Sequence, residues 1–419
     1  MVFDPTVSAR MGARIVARCD ELGTLTEEPG VLTRTFLTPM HKSANTLVGG
    51  WMREAGMEVS TDPIGNLVGR YPGTKPDSPI VMIGSHLDTV RNAGRYDGMM
   101  GVISGIEAVE SLSRAKRRLP FTIEVVGFGD EEGVRFDSAL IGSRAIAGTL
   151  PSTVMQSRDA TGVTVADALA AFGLDPKRVN EAVRHRGDLL AYLEVHIEQG
   201  PVLERMGLEL GVVTAICGGT RRRFHVTGEA GHAGTVPMDG RHDALVGAAE
   251  AVLAAETVGR AHGVVATVGR IAAEPGATNV IPGGATFTLD LRAEKDTVRA
   301  EALADLDRRL AEIAKRRGLT ISAETFHDAP AAPCAPHLQA LFEGAIQSLG
   351  LKGTRLPSGA GHDGMAMVSI APIGMLFVRC KAGISHNPAE AVDAGDVGLG
   401  ASALIAALET LAEAAKPAV

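Results

Sequence analysis

The chain has 419 residues, of which 45% are hydrophobic and 21% are charged, which is the mix of an ordinary folded protein. This composition excludes a largely disordered chain and a collagen-like one, and the length predicts two domains at roughly 100–200 residues each. The formal net charge of −8 argues against nucleic acid or an anionic membrane as the main partner.

The first thirty residues contain no apolar stretch typical of a secretory signal, and no uninterrupted apolar run approaches the roughly 20 residues that cross a bilayer. The four cysteines are widely spaced and form no CxxC pair. A disulfide framework or a structural zinc site would need closer spacing. We therefore predict a reduced, cytoplasmic protein.

An α/β pattern opens the chain. Residues 79–84 form a short apolar run that predicts a buried strand, residues 101–113 have helical periodicity, and residues 121–126 predict a second strand. A strand, helix and strand at this spacing predict parallel strands, whose carboxyl ends are where ligands gather.

The pattern changes near residue 212. Short strands and two helices are predicted next, at 212–216, 224–227, 242–262, 285–292 and 295–317. The α/β pattern then returns, with predicted elements at 338–349, 373–378 and 396–415. The simplest organisation is a discontinuous α/β domain (residues 1–212 and 330–419) with an inserted α+β domain (residues 213–329).

Five short segments carry residues suited to metal chemistry. His86 and Asp88 lie two apart in extended chain and project to the same side, as a metal-binding imidazole and the carboxylate that orients it do. Asp97 lies on a glycine-rich loop before a helix, where it is either a shared ligand or an ordinary N-cap. Both interpretations stay open at this point.

Of the other segments, one lies at the end of a predicted strand, one at a strand-like terminus that carries His196, and one on a turn that carries His386. Asp130, Glu131 and Glu132 are consecutive carboxylates, which form either a solvated loop or a site whose repulsion a cation offsets. His196 and His386 complete the set. Together the segments offer the ligands expected for two divalent ions that share a carboxylate, with Glu131 free to act as general base.

Eight motifs resemble the hydantoinase/carbamoylase family of amidases, within the group of dinuclear aminoacylases and zinc carboxypeptidases. They occur in the family's order and span nearly the whole chain: GSHLDTV, YDGMMGV, DEEGVRF, GSRA, EVHIEQGPVLE, GHAGTVPM, SGAGHD and GISHNPAE. The resemblance implies a catalytic domain with a mixed sheet flanked by helices, and an inserted domain that serves as lid and dimerisation domain.

The resemblance also implies roles for individual residues. One divalent ion would be bound by His86, Asp97 and His196, and a second by Asp97, Glu132 and His386. Zinc is the first choice, with manganese, cobalt or nickel as alternatives. Glu131 would be the general base and Asp88 the residue that orients His86.

The remaining implied roles concern the substrate. His232 would reach the active site of the partner subunit in a homodimer and stabilise the transition state. The other implied substrate contacts are Gln199, Asn279, Arg292, Gly361 and His362, with Arg292 pairing a substrate carboxylate. From the residues alone, the preferred interpretation of Arg292 is a surface charge on a strand.

These features predict a hydrolase that cleaves the C–N bond of an N-carbamoyl (ureido) L-amino acid to give the amino acid, ammonia and carbon dioxide. Allantoate amidohydrolase and β-ureidopropionase are close alternatives. An aminoacylase or dipeptidase is a more distant one, because Gly98 stands where the peptidase relatives usually have an acidic residue or Asn. A non-catalytic carboxylate-binding relative is the alternative from another class.

Overall fold

The structure is a computed structural model that describes residues 3–414. Its strands are β1 (Glu58–Thr61), β2 (Leu67–Tyr71), β3 (Ile80–His86), β4 (Thr122–Phe128), β5 (Leu189–Ile197), β6 (Leu210–Ile216), β7 (Gly218–Thr227), β8 (Gly231–His232), β9 (Val265–Thr267), β10 (Ile271–Glu274), β11 (Val280–Ile281), β12 (Gly284–Ala293), β13 (Thr320–Ala329), β14 (Ala332–Pro333), β15 (Thr354–Ser358) and β16 (Ile373–Val378). Its α-helices are α1 (Pro5–Leu22), α2 (Pro39–Glu54), α3 (Met99–Arg114), α4 (Ile141–Ile146), α5 (Val165–Phe172), α6 (Val202–Met206), α7 (Ala244–His262), α8 (Asp296–Arg317), α9 (Pro336–Ser348), α10 (Gly364–Met367) and α11 (Ala394–Ala414).

The chain forms two compact units. The first contains the described residues up to Thr214, Pro333–Leu356 and those from Gly361 onward, and the second contains Ala215–Ala332 and Pro357–Ala360. The inserted domain was predicted at residues 213–329. The main segment of the second unit runs instead from Ala215 to Ala332, and the prediction did not include residues 357–360. The predictions for residues 1–2 and 415–419 lie outside the described residues.

The first unit is built on a nine-stranded mixed sheet, which confirms the predicted α/β class. The strand order is β1-β2-β4-β3-β5-β16-β6-β14, with β15 also paired to β6. Strands β4, β3, β5 and β16 run parallel to one another, whereas β1, β2 and β6 run antiparallel to their neighbours. The carboxyl ends of the four central strands therefore share one edge of the sheet.

Strand β6 corrects the prediction for residues 212–216. This segment was predicted to belong to the inserted sheet, but β6 pairs with β16 in the large sheet, with Val212 opposite Leu376. Six of its seven residues are buried. A strand that is buried on both faces suits a sheet with covered faces better than a sheet with one open face.

Helix α11 belongs to the core of the first unit. Its length and apolar composition would also allow it to cross a membrane, and it is the only such helix among residues 3–414. However, 61% of its most apolar window is buried inside the protein, and it packs on α1, α3 and α9. Its apolar composition is therefore explained by burial in the core.

The second unit has a five-stranded antiparallel sheet with one covered face. The strand order is β10-β12-β7-β13, and β9 pairs with the other end of β12. Along β12, half-buried and buried residues alternate over ten positions, as expected for a sheet packed on one side. The buried residues pack against α7 and α8, and the polar residues of β12, including Arg292, lie on the opposite face.

Candidate active site

The central parallel strands bring the predicted ligands to one edge of the large sheet. His86 is the last residue of β3, and His196 is the last but one of β5. Glu132 follows β4, and His386 lies in the loop after β16. Because the carboxyl ends of neighbouring parallel strands open on the same edge, side chains that are distant in sequence meet there.

The carboxylate of Asp97 is the point at which these side chains converge. The Nε2 atoms of His86 and His196 lie 3.4 and 3.2 Å from Asp97 Oδ1. The Nε2 atom of His386 lies 3.2 Å from Asp97 Oδ2 and 3.4 Å from Glu132 Oε1. Two potential ligand groups, each with donor atoms within 4.8 Å of one another, thus share Asp97. Their members are those that the family resemblance implies.

Gly98 separates Asp97 from helix α3 and lies against His86. It is the N-cap residue of α3, and no side chain caps this helix. The alternative that Asp97 is an ordinary N-cap is therefore wrong. A β-carbon on Gly98 would lie 2.5 Å from ring atoms of His86, so glycine at this position leaves room for the imidazole.

Backbone carbonyls fix the tautomers of the two buried histidines. His86 Nδ1 lies 3.0 Å from the carbonyl oxygen of Asp88, and His196 Nδ1 lies 2.9 Å from that of Ile197. A carbonyl oxygen only accepts, so each Nδ1 carries a proton and each Nε2 of the neutral ring presents a lone pair. The Nε2 atom of His196 also accepts the N–H of Gly98 at 3.2 Å. Both Nε2 atoms lie beside Asp97 Oδ1, which is an acceptor, and either a proton on each ring or a bound metal ion satisfies this arrangement. Imidazole nitrogen and carboxylate oxygen suit zinc, manganese, cobalt or nickel, so the residues fit a divalent ion.

Asp88 supports the loop that carries the acidic residues. Its carboxylate oxygens accept the backbone N–H groups of Glu131 and Glu132, each at 3.2 Å. The carboxylate of Asp88 was predicted to orient His86. Instead, the nearest contact to His86 Nδ1 is the Asp88 carbonyl, and the nearest carboxylate oxygen is 3.9 Å away.

Glu131 lies beside His86 and Glu132 and has donor atoms within 4.8 Å of both. Burial raises the pKa of Glu131 well above its usual range. The carboxylates of Glu132, Asp363 and Asp88 raise it further, whereas His86 opposes the shift. A carboxylate with a raised pKa is suited to accept and return a proton near neutral pH.

Three further predicted residues of the first unit lie next to this cluster. Gln199 Nε2 donates to Asp97 Oδ2 at 2.9 Å, while its amide oxygen is buried without a hydrogen-bond partner. His362 is buried, with its ring centroid 4.4 Å from that of His196 in an edge-on arrangement. Gly361 lies close to Glu131, since a β-carbon on Gly361 would be 3.7 Å from Glu131 Oε1. Their roles as substrate contacts stay predictions.

His232 and Asn279 are exposed neighbours in the second unit. His232 lies on β8, which pairs with β11, and the N–H of Ala233 donates to the carbonyl of Asn279 at 2.9 Å. His232 Nδ1 accepts the N–H of Gly234 at 3.0 Å. Because Nδ1 is an acceptor there, the proton of the neutral ring is on Nε2, which is free to donate outward.

Arg292 lies on the open face of the second unit's sheet, in a cavity of ≈ 520 Å³ that Val265 and Phe326 also line. Its Nε and Nη2 atoms donate to the two carboxylate oxygens of Asp290 at 3.0 and 2.9 Å, and its Nη1 atom donates to the carbonyl of Gly359 at 2.7 Å. Asp290 was missed in the sequence. It stands two residues before Arg292 on the same strand face, and that spacing could have identified it.

Glu390 and Ser385 were also missed, although both are in the GISHNPAE motif. The hydroxyl oxygen of Ser385 lies 2.9 Å from Asp97 Oδ2 and 2.8 Å from Glu390 Oε2. Their only sequence signal is their position within five residues of His386, because the contacts to Asp97 span almost 300 residues of chain.

Comparisons with known proteins identify the family of this chain. The model of Peptidase family M20/M25/M40 matches residues 82–410. An N-carbamoyl-L-amino acid amidohydrolase of Geobacillus stearothermophilus is 42% identical, over 96% of this chain and 99% of its own. An allantoate deiminase of Arabidopsis thaliana is 42% identical, over 94% of this chain and 81% of its own.

A solved structure has the same fold over nearly the whole chain. It is an amidase of the hydantoinase/carbamoylase family from Burkholderia multivorans, with a TM-score of 0.90, 33% identity, and coverage of 97% of this chain and 98% of its own. The family is metal-dependent, in agreement with the ligand groups around Asp97. The chain therefore belongs to Peptidase family M20/M25/M40, and within it to the hydantoinase/carbamoylase amidases.

Proposed function

We propose that this enzyme hydrolyses the C–N bond of an N-carbamoyl L-amino acid, with release of the amino acid, ammonia and carbon dioxide. The observation that carries the proposal is the convergence of three histidines and Glu132 on the Asp97 carboxylate, with Glu131 beside them. The near full-length similarity to an N-carbamoyl-L-amino acid amidohydrolase supports the substrate class. Allantoate is the second candidate substrate, because an equally similar relative is an allantoate deiminase.

The centre would hold two divalent ions, with zinc as the first choice. His86, Asp97 and His196 would bind one ion, and Asp97, Glu132 and His386 the other. When bound, such ions polarise a carbonyl group and make water more acidic.

The protein's own groups would move the protons and bind the substrate. Glu131 takes a proton from the attacking water and returns it to the nitrogen that leaves. His232 of the partner subunit donates from Nε2 to the oxygen on which negative charge develops. Gln199 and Asn279 contact the ureido substrate, as do Gly361 and His362.

Gly98 favours ureido substrates over peptides within this proposal. An acidic residue or Asn, usual here in the peptidase relatives, would bring a β-carbon 2.5 Å from the ring of His86. A non-catalytic relative is disfavoured because the ligand groups and Glu131 are all present in one cluster.

A substrate panel tests the proposal. The protein is reconstituted with zinc, manganese or cobalt and given N-carbamoyl L- and D-amino acids, N-carbamoyl-β-alanine, allantoate, an N-acetyl amino acid and a dipeptide. Release of ammonia from the ureido compounds and of amino acid from the last two is measured. We expect the highest kcat/KM for an N-carbamoyl L-amino acid, and exclusive cleavage of the dipeptide or acetyl compound would contradict the proposal.

Arg292 is proposed to pair the substrate carboxylate with N–H groups that Asp290 and Gly359 leave free. We expect Arg292→Ala to raise KM by roughly 10–100-fold with little change in kcat, because a hydrogen bond to a charged group contributes about 1.5–3 kcal/mol. Arg223→Ala, on the same open sheet face, is the control. An N-carbamoyl amino acid amide should show no such change, and an equal loss for acid and amide would refute the role.

The second unit offers a surface for a homodimer. Helix α7 exposes Leu245, Val246 and Leu253, the last with 63% of its surface accessible. Strands β9 and β10 both pair with β12 and form an open edge of the same sheet. An apolar helix face beside a free strand edge suits a second copy of this chain, whose identical edge can continue the sheet.

We expect Leu253→Glu to convert the dimer to monomer, because it buries a charge in the proposed interface. Ala300→Glu adds the same charge to an exposed position of α8 and should leave the dimer intact. Light scattering coupled to gel filtration gives both masses. A Leu253→Glu protein that stays dimeric would exclude this face as the interface.

The proposed location of the enzyme is the cytoplasm. Cys19, Cys334 and Cys380 are buried, Cys217 is half-buried, and all four are free thiols. Free cysteines are typical of proteins kept in a reducing compartment.

A further inference from the structure

We infer that Glu390 is a positioning residue for the shared carboxylate of Asp97. Glu390 acts through the backbone of the Asp97 loop and through the hydroxyl of Ser385. The inference rests on the proposed metal centre, because it concerns how the ligand common to both ions is held. Glu390 itself is not counted among the ligands.

The backbone contacts are the first part of this arrangement. Glu390 is only 5% exposed. Its Oε1 atom accepts the N–H groups of Tyr96 at 2.8 Å and of Asp97 at 3.2 Å. Hydrogen bonds to a carboxylate are stronger than those between neutral groups, so this oxygen fixes the peptide from which the Asp97 side chain projects.

The side-chain contact is the second part. Glu390 Oε2 lies 2.8 Å from the Ser385 hydroxyl, which is 2.9 Å from Asp97 Oδ2. The Ser385 hydroxyl has a single proton and donates it to only one of these two carboxylates at a time. Glu390 therefore holds the main chain of Asp97 directly, and it shares the Ser385 hydroxyl with the Asp97 side chain. Ser385 is also adjacent to His386, so the same link ties the loop after β16 to the Asp97 loop.

The packing around Glu390 leaves no space for a larger neighbour. A β-carbon at Gly94 would lie 2.3 Å from Cβ, Cδ and Oε1 of Glu390. Gly94 thus permits the Glu390 side chain to enter between the two loops. A Gly94→Ala substitution should therefore displace the Glu390 carboxylate without changing its chemistry.

The geometry matters because Asp97 must serve two ligand groups at once. Oδ1 faces His86 and His196, while Oδ2 faces His386. A rotation of the carboxylate that moves one oxygen closer to its own ligand group moves the other oxygen away from the second group. Residues that orient metal ligands typically change metal affinity or activity by 10–100-fold when they are removed.

The test titrates Co²⁺ into the metal-free full-length protein. Affinity and stoichiometry are read from the d–d absorption, with bound metal counted by mass spectrometry. We expect Glu390→Ala to lose on the order of 10–100-fold in affinity and to change the shape of the absorption band. Glu390→Gln should stay close to wild type, because its amide oxygen can accept the same two N–H groups and its amide group can donate to Ser385.

Two further variants keep the test decisive if Glu390→Ala does not fold. Gly94→Ala and Ser385→Ala should each weaken Co²⁺ binding in the same direction. Gly50→Ala, where an added β-carbon meets nothing within 4 Å, is the control for the first. Glu204→Gln is the control for the change from carboxylate to amide in Glu390→Gln. Like Glu390, Glu204 accepts a backbone N–H: its Oε2 atom accepts that of Ala382 at 3.0 Å, in the loop that leads to His386.

A purely structural role would lower the melting temperature of Glu390→Ala but leave its Co²⁺ affinity and spectrum unchanged, and that result would overturn the inference. A Glu390→Gln protein as weak as Glu390→Ala would also overturn it. Failure of the wild-type protein to bind two ions would instead contradict the proposed metal centre. The two failures are therefore distinguishable.

Discussion

Glu131→Gln is expected to lower kcat on the order of 10²–10⁴-fold while the protein keeps both ions, because the amide cannot accept the proton of the attacking water. The amide has nearly the same shape as the carboxylate, so the position of the loop held by Asp88 should not change. Ammonia release under saturating substrate gives kcat, and mass spectrometry of the purified protein gives the bound metal. Glu204→Gln, which removes a charge outside the cluster, should retain wild-type kcat.

The metal measurement is needed because Glu131 lies in a potential ligand group of its own, with His86 and Glu132. If Glu131→Gln loses one ion, Glu131 is a ligand rather than a base. If it keeps both ions and its full activity, Glu131 has no part in proton transfer. Only retained metal with lost turnover agrees with the proposal.

His232→Ala is expected to lower kcat on the order of 10²–10³-fold, the usual cost of removing one donor to a developing oxyanion. His232 is exposed, and the only hydrogen bond described for its imidazole is local, from the N–H of Gly234. The fold and the dimer should therefore survive the change. The supporting result is a reduced kcat with unchanged dimer mass and metal content. His225→Ala, on the same unit, is the control variant.

A mixed dimer tests whether His232 acts in the partner's site. Glu131→Gln and His232→Ala proteins are each inactive, but a hybrid dimer contains one site with both native residues if His232 acts across the interface. Random reassortment makes half of the dimers hybrids, each with one of two sites intact, so about a quarter of wild-type activity should return. No recovery in a verified hybrid would place His232 in its own subunit's site.

The sequence predicted those parts of the site that depend on strand ends. His86 and Glu132 follow apolar runs that were predicted to be buried parallel strands, and parallel strands open on one edge. The spacing of His86 and Asp88 predicted their proximity but not their contact, since the Asp88 carbonyl, not the carboxylate, is nearest to the imidazole. Local spacing indicates which residues are neighbours but does not distinguish a backbone acceptor from a side-chain one.

Contacts between distant loops could not be predicted. Glu390 reaches Asp97 across almost 300 residues, and nothing near either residue indicates the pairing. The same holds for β6, whose apolar sequence fits either sheet until its partner β16 is known. For Arg292, the strand pattern predicted an exposed charge, whereas its contact with Asp290 depends on the side-chain conformation.

The backbone of Gly98 has a consequence for attempts to redirect this enzyme toward dipeptides. Its φ of 71° and ψ of −56° are unfavourable for any residue with a β-carbon. Introducing Asp or Asn at this position would both strain the main chain and push the imidazole of His86 away from Asp97. Conversion would therefore require grafting the whole turn before α3 from a peptidase, and single-site libraries at position 98 should yield only inactive protein.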